Sequence, residues 1–423
     1  MNNIQQLLHQ LCPNGVDYKR LGEVFIQFNG MTGAKYKWKE NGNCVFIDYL
    51  NVYNNLKIDV TKLCNATVQN HNQETLKKGD ILFTSASETP DECALSSVIE
   101  DDIKEGVFMD DHLFGLRIKE EYDNCCITGY WKYAFRSPEF RKEVSRVVRG
   151  VTRFYISKRD FMNLFIPLPP LPVQRAIAAV LDRFTQLETE LETELQCRKK
   201  QYEYYRDSLL NFDNDNVQWV KLGDIGTFYG GLSGKSKKDF NDKGNAKYIT
   251  YMNVYKNAAV NLDVAERVNV AKEEHQHVVE YGDILFTGSS ETPEECGFSS
   301  VVTTQLDEEV YYLNSFCFGF RLNDATIYIP DFLKHLFRGN ALRKAINKTA
   351  SGVTRYNVSK ARFAKLLIPL PPLSVQRRIV GILDRFEALT TSISEGLPAE
   401  IDARRRQYEY YRDRLLTFKR KEQ

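Results

Sequence analysis

A chain of 423 residues with 43% hydrophobic content can bury more than one core, and it holds no apolar run of the roughly 18 residues that a membrane-crossing helix needs. A net charge of +1 excludes a globally basic nucleic-acid binder. Nine cysteines with no C-x-x-C pair, and Cys125 directly beside Cys126, predict reduced thiols rather than a metal site, and the opening MNNIQQLLHQLCPNG has no signal-peptide pattern. A cytoplasmic, non-membrane protein is the expectation.

In the first globular region, residues 1–167, short β-rich runs bounded by Gly, Asn or Asp predict strands at Cys44–Leu50, Ile81–Thr84, Ser96–Ile99 and Phe114–Ile118. A helix fits Tyr130–Val148, with Ser137-Pro138 as an interruption, and a Val-Thr-Arg-Phe-Tyr-Ile strand follows Gly150. Residues 168–213 then open on prolines, which stand before a helix more readily than inside one. From Val173 to Asn211 the apolar residues Ile177, Leu181, Phe184, Leu187, Leu191, Leu195, Tyr202, Tyr205 and Leu209 fall on one stripe, which predicts a helix roughly 58 Å long at 1.5 Å per residue. Such a stripe requires a partner helix.

The order then repeats. GDILFTSASETPDEC at Gly79 matches GDILFTGSSETPEEC at Gly282 in 12 of 15 positions, and IPLPPLPVQR and QYEYYRDSLL each recur with 9 of 10 identical. GVTR stands at both Gly150 and Gly352. Residues 214–369 are thus a second domain of the same kind, with strands at Lys247–Met252, Ile284–Thr287, Ser300–Thr303 and Phe316–Leu322 and a helix at Pro330–Lys348. Without a regular βαβ alternation each domain reads as α+β. The second long helix, in residues 370–423, has four more residues between LDRF and QYEYYRD and carries Gly396-Leu397-Pro398, which predicts a break. The first has LETE written twice, and a four-residue unit adds about 6 Å and a net rotation near 40°.

Several motifs invite a chemical reading. GKS at Lys235 resembles the end of a phosphate loop, but Tyr229 stands where that loop needs Gly, and the first copy has no Ser or Thr after Lys35. A shared Gly-rich turn, Gly30/Gly33 with Gly231/Gly234, is the better description. SETPDE and SETPEE suit a turn and helix cap, and the hydroxyls of Thr84, Ser85 and Ser87, or Thr287, Ser289 and Ser290, are candidate DNA contacts. Arg153 and Lys158, with Arg355 and Lys360, are candidate phosphate contacts in stretches that make a local basic surface: Arg141–Asp160 holds seven Lys or Arg against two acids, and Arg343–Lys365 seven against none. No histidine has a partner in the repeat, and no adenine-methyltransferase N-P-P-[FY] or D-P-P-[FY] tetrapeptide, helicase phosphate loop or nuclease carboxylate set is present. The chain reads as a binder.

The ordered set of GDILF-T-x-x-S-E-T-P, GVTR, PLPPL-x-V-Q-R and QYEYYRD resembles the specificity subunit of type I restriction–modification systems over essentially the whole chain. The resemblance implies two target-recognition domains, each reading half of a bipartite, asymmetric double-stranded DNA site, separated by two long helices packed as an antiparallel coiled coil. It implies no catalysis and no cofactor in this chain. The implied partners are two modification subunits, which use S-adenosylmethionine to methylate adenine, and restriction subunits that use ATP and Mg. If the halves read different sequences, residues identical in both copies are scaffold, docking or phosphate contacts, and base readers lie where the copies diverge. Lys35, Lys37, Trp38 and Lys39 against Ser236, Lys237, Lys238 and Asp239, with Lys235 beside them, and Asn54 and Asn55 against Lys256 and Asn257, are the candidates on that rule. A self-contained DNA-modifying enzyme and a coiled-coil adaptor without DNA binding are the alternatives.

Overall fold

The computed structural model describes residues 2–31, 42, 44–67, 74–212, 217–306, 309–392 and 396–422. They form two compact units: Met1–Leu191 with Ile401–Gln423, and Glu192–Glu400. Each is a mixture of short strands and helices, the α+β class that the pattern predicts.

The first unit is built on an antiparallel sheet in the order Phe25–Asn29, Leu113–Ile118, Ile81–Thr84, Ser96–Val98. The strand Ile-Leu-Phe-Thr is buried at every position because both faces of the sheet are covered. Ile81 and Phe83 enter a core with Trp131, Phe135 and Phe161, while Leu82 enters another with Ile47, Val52 and Met109, the alternation that a strand imposes. A second sheet pairs Cys44–Ile47 antiparallel with Cys64–Ala66 and parallel with Val107–Met109. A third joins the hairpin Val148–Gly150 and Phe154–Ile156 to Ala86–Ser87. The second unit repeats all three, its main sheet running Gly226–Gly230, Cys317–Leu322, Ile284–Thr287, Ser299–Val301.

Several boundaries differ from the sequence reading, each for a local reason. The run expected as strand Cys44–Leu50 stops at Ile47, because the Asp48 carboxylate accepts from Asn51 N at 3.0 Å and starts the helix Tyr49–Asn54. Thr250 does the same for Tyr251–Lys256 in the second unit. The helix expected over Tyr130–Val148 is interrupted at Ser137-Pro138 as expected, into Thr128–Ala134 and Pro138–Ser145, so that only the outer ends differ, and Ser137 caps the second helix. Its counterpart is likewise two helices, Pro330–Arg338 and Asn340–Asn347. Of the strand expected at 151–156 only Phe154–Ile156 is paired, and residues 151–153 form the hairpin turn. The helix Asn2–Leu11 and the strand Asp17–Arg20, which pairs with Phe165–Leu168 ahead of the proline step, were not expected.

The long helix spans Leu171–Leu209, two residues earlier at each end than expected, with Pro172 in its first turn. The unit boundary falls inside its LETELETEL segment. The second long helix is broken as Gly396-Leu397-Pro398 predicts, into Leu373–Thr391 and Leu397–Leu416. In the first unit, residues 401–416 run antiparallel to the start of the long helix: the Phe184 ring stacks on Tyr411 at 5.2 Å, and one turn on Glu188 pairs with Arg405 at 2.7 Å. In the second unit Phe386 stacks on Tyr205 at 5.3 Å, the same pair of positions with the copies exchanged. Each α+β domain is therefore packed against its own LDRF helix and the QYEYYRD segment of the other copy.

The duplicated V-Q-R has a clear structural use. Gln174 is fully buried at the head of the long helix; its amide donates to Cys125 O and Pro169 O, both at 2.7 Å, and its carbonyl accepts from Ile127 N at 3.1 Å. Gln376 makes the matching three bonds to Ile327, Pro371 and Ile329. Both N–H groups and the carbonyl of each glutamine bond to backbone, so the amide fixes the helix to its own domain.

Candidate nucleic-acid interface

The first unit has a cleft of about 1100 Å³ between the helix Tyr49–Asn54, the S-E-T-P turn, the loop Asp110–His112 and the hairpin tip at Thr152 and Arg153. Its walls are held by side chains identical in the two copies. Tyr49 OH donates to Ala86 O at 3.0 Å and Tyr53 OH to a Glu92 carboxylate oxygen at 2.6 Å. In the second unit Tyr251 OH donates to Ser289 O at 2.8 Å and Tyr255 OH to Glu295 at 2.7 Å. Tyr53 and Ser87 both donate to Glu92, and the hydrogen bond from Tyr53 is the main reason its carboxyl lies below the usual carboxylate range.

Two arginines per unit set these walls from behind. Arg136 reaches Ser96 O, Val52 O, Tyr53 O and Asn55 O, and so collects the carbonyls that the helix Tyr49–Asn54 leaves unpaired at its end. Arg338 does the same for Val254, Tyr255 and Asn257. Arg141 holds Asp91 O, Cys93 O and Ala94 O after the S-E-T-P turn, and Arg343 holds Glu294 O, Cys296 O and Gly297 O. Arg141 and Arg343, counted above toward a basic surface, therefore point inward. Burial pushes Arg343 down to about 10, which leaves it charged at neutral pH.

The hairpin requires its glycine. Gly150 has φ +120°, and a Cβ there would lie 2.1 Å from Arg153 O; at Gly352 the same distance to Arg355 O is 2.0 Å. The tip presents Val151 at 89% exposure and, in the second unit, Val353 at 90%. Gly30 and Gly231 serve a close approach instead of a left-handed turn: a Cβ would lie 1.9 Å from Asp110 O and 2.0 Å from Asn314 O. Gly234 does have a positive φ of 68°, and Gly33 lies outside the described residues.

The structure brings some of the sequence candidates to the cleft and uses others inside the fold. Arg153 lines it, and Arg355 stands exposed at the matching tip, its Nε donating to Ser289 Oγ at 3.2 Å. Lys158 is half-buried, donates to Asn29 at 2.6 Å, and is lowered in pKa by that burial; Lys360 is exposed. Thr84 and Thr287 are fully buried, each donating to a backbone carbonyl and accepting from a backbone N–H. Ser87, Ser289 and Ser290 are buried, and Ser85 gives its hydroxyl to His112 O. Asn54 and Lys256 are exposed on the cleft helix, whereas Asn55 and Asn257 turn back onto Asn51 and Asn253. Lys235 is paired with Glu274 at 2.5 Å, and Lys237 and Lys238 are exposed in the turn that Ser236 and Asp239 cap. Lys35, Lys37, Trp38 and Lys39 lie outside the described residues.

The tyrosine pairs and the inward arginines were not singled out from sequence, although YLNVYN and YMNVYK, and FRSPEFRK and FRGNALRK, carry the signal by their match.

The sequence profile described as "Type I restriction modification DNA specificity domain" matches the chain twice, over residues 13–197 and 214–403. The chain belongs to this family. Within it, the chain is 34% identical over 285 residues to the EcoR124I/EcoR124II specificity subunit of Escherichia coli, covering 64% of this chain and 67% of that one. It is 32% identical to a putative type I specificity subunit of Haemophilus influenzae, covering 64% and 68%. A chain from a solved type I R-M system shares the fold with a TM-score of 0.67 at 17% identity, over 96% of this chain and 98% of that one. The HsdS subunit of Thermoanaerobacter tengcongensis gives 0.52 at 18% identity, over 96% and 97%. Among the described residues no helix is long and apolar enough to cross a membrane.

Proposed function

We propose that this specificity chain binds double-stranded DNA at a bipartite, asymmetric site, one half-site to each unit, and directs partner subunits to it without catalysing a step itself. The observation that carries the reading is a cleft in the first unit whose framing tyrosine contacts and arginine-bearing hairpin recur in the second, in a chain whose two halves each match a DNA specificity domain. Arg153, Arg355, Lys158 and Lys360, shared by the two copies, supply cations for phosphates, which position a protein on DNA without reading sequence, while Lys237, Lys238 and Lys256, where the copies diverge, are base-reading candidates. The residues placed outside the described set, Lys35 to Lys39, remain candidates on the divergence rule. Two modification subunits would bring S-adenosylmethionine and methylate adenine, and restriction subunits would bring ATP and Mg-dependent chemistry.

The test is DNA binding by the chain assembled with its modification subunits, measured against a duplex carrying the genome's own methylated motif and a scrambled duplex. The reading predicts preference for the motif and an affinity that falls steeply with salt. Equal affinity for both duplexes would defeat it.

A further inference from the structure

If the two units read different half-sites, as the function proposed above requires, the difference must reside in side chains that reach the cleft while its framework stays constant. The loop opposite the hairpin has this property. Its backbone is anchored identically: His112 O accepts from Ser85 N at 2.9 Å and Phe316 O from Gly288 N at 2.8 Å. The first loop position is a cap in both units, since Asp110 accepts from His112 N at 2.8 Å and Asn314 from Phe316 N at 2.9 Å. Asp110 is correspondingly buried, and that burial raises its carboxyl to about 6. The next two positions are exposed and wholly unlike, Asp111-His112 against Ser315-Phe316. Across the cleft, the exposed first-turn residue of the wall helix also differs, Leu50 at 60% exposure against Met252 at 48%.

The Phe316 ring is 57% exposed, so its face is open to a ligand in the solvent. Phe316 sits with the Arg355 guanidinium 5.4 Å from its ring, an apolar group beside a cation that suits a phosphate. That pairing fits a groove of duplex DNA, where a base edge and a backbone phosphate lie side by side.

We propose that residues 111–112 and 315–316, with Leu50 and Met252 opposite, are the specificity-determining residues of the two half-sites. Asp111 accepts from the exocyclic amino group of an adenine or cytosine in the first half-site. Phe316 packs on a thymine methyl in the second, with Met252 facing the same base from the wall helix. The tyrosines and the inward arginines shared by the two copies, Arg136 and Arg141 with Arg338 and Arg343, fix where these side chains stand.

The test exchanges the pairs in the full chain, expressed with its modification subunits: D111S with H112F in one variant, S315D with F316H in the other, each read by genome-wide mapping of methylated adenine. Each exchange is expected to alter one half of the motif only, with methylation at the old half-site falling about tenfold or more. H112A and F316A, which only trim exposed side chains, are expected to relax one position of the same half-sites and guard against a swap that fails to fold. Unchanged motifs in the swaps or alanine variants would overturn the proposal. So would uniform loss of methylation at all sites by a variant whose melting temperature is unaltered. A wild-type chain that directs no methylated motif would defeat the proposed function itself, and this assignment with it.

Discussion

Replacing Arg338 by Met tests whether the cleft is held from behind by a guanidinium. Arg338 Nε donates to Ser299 O at 2.8 Å, and Nη2 reaches Val254 O, Tyr255 O and Asn257 O, each at 3.1 Å. Met keeps most of the stem's volume, so little cavity forms, and the loss is mainly the hydrogen bonds together with the guanidinium's seat 4.8 Å over the Phe298 ring. Hydrogen bonds to a charged group are worth roughly 1.5–3 kcal/mol net, but four carbonyls sharing one guanidinium do not add. Burial works the other way, holding the Arg338 pKa down to about 10, so part of the loss is returned as relieved desolvation. The expected net cost is about 2–4 kcal/mol. At about 2–4 °C per kcal/mol for a unit of this size, calorimetry should show the second unit's transition falling by about 5–15 °C. The first unit, held by its own Arg136, should melt unchanged. Hydrogen exchange should quicken at residues 251–257, the cleft wall. A fall under about 2 °C with unaltered exchange there would show that the Arg338 guanidinium does not hold this wall.

Four other outcomes follow from the same geometry. G150A should cost about 2 kcal/mol or more, because its φ of +120° and the close Arg153 carbonyl both exclude a Cβ, and should weaken DNA binding by loosening the hairpin; unchanged stability and binding would contradict this. R153A should lower the slope of log affinity against log salt by about one unit without altering the motif, whereas an altered motif would make Arg153 a base reader. Lys235 holds the Glu274 carboxyl at about 2, down from 4.5, so this contact stabilises the second unit fully above the ordinary value and is lost as pH falls from about 4.5 to about 2; E274Q should abolish that part of the pH dependence of melting. One added LETE tetrad should lengthen the unread spacer of the methylated motif by one base pair with both half-sites kept, since its net rotation near 40° approximates the roughly 34–36° of one base pair; an unchanged spacer would remove the tetrads from the account.

What the sequence made legible was whatever is repeated or periodic. Ile-Leu-Phe-Thr reads as a buried strand in both copies because apolar runs flanked by Gly-Asp leave few alternatives, and the structure buries all four positions twice. The break at Gly396 to Pro398 follows from backbone chemistry alone. Less was legible where one polar side chain decides a boundary: nothing in the run Cys44–Leu50 is more helical than strand-like until Asp48 caps the next turn. Long-range partners were invisible for the same reason. Arg141 and Arg343 lie in stretches rich in cations, and only the fold reveals that their guanidiniums face carbonyls instead of solvent. The cleft itself was half seen: its S-E-T-P turn and Gly-Val-Thr-Arg hairpin stood out by repetition, while Asp111-His112 and Ser315-Phe316 differ as much as many other divergent pairs, and only the fold places them beside that turn and hairpin.

The central claim is that this chain chooses the DNA sequence on which its partners act. Genome-wide mapping of methylated adenine in cells with and without the chain tests it most directly. A bipartite motif is expected that is methylated only when the chain is present and loses one half-site when the matching unit is altered. A set of methylated adenines that is the same with and without the chain would contradict it.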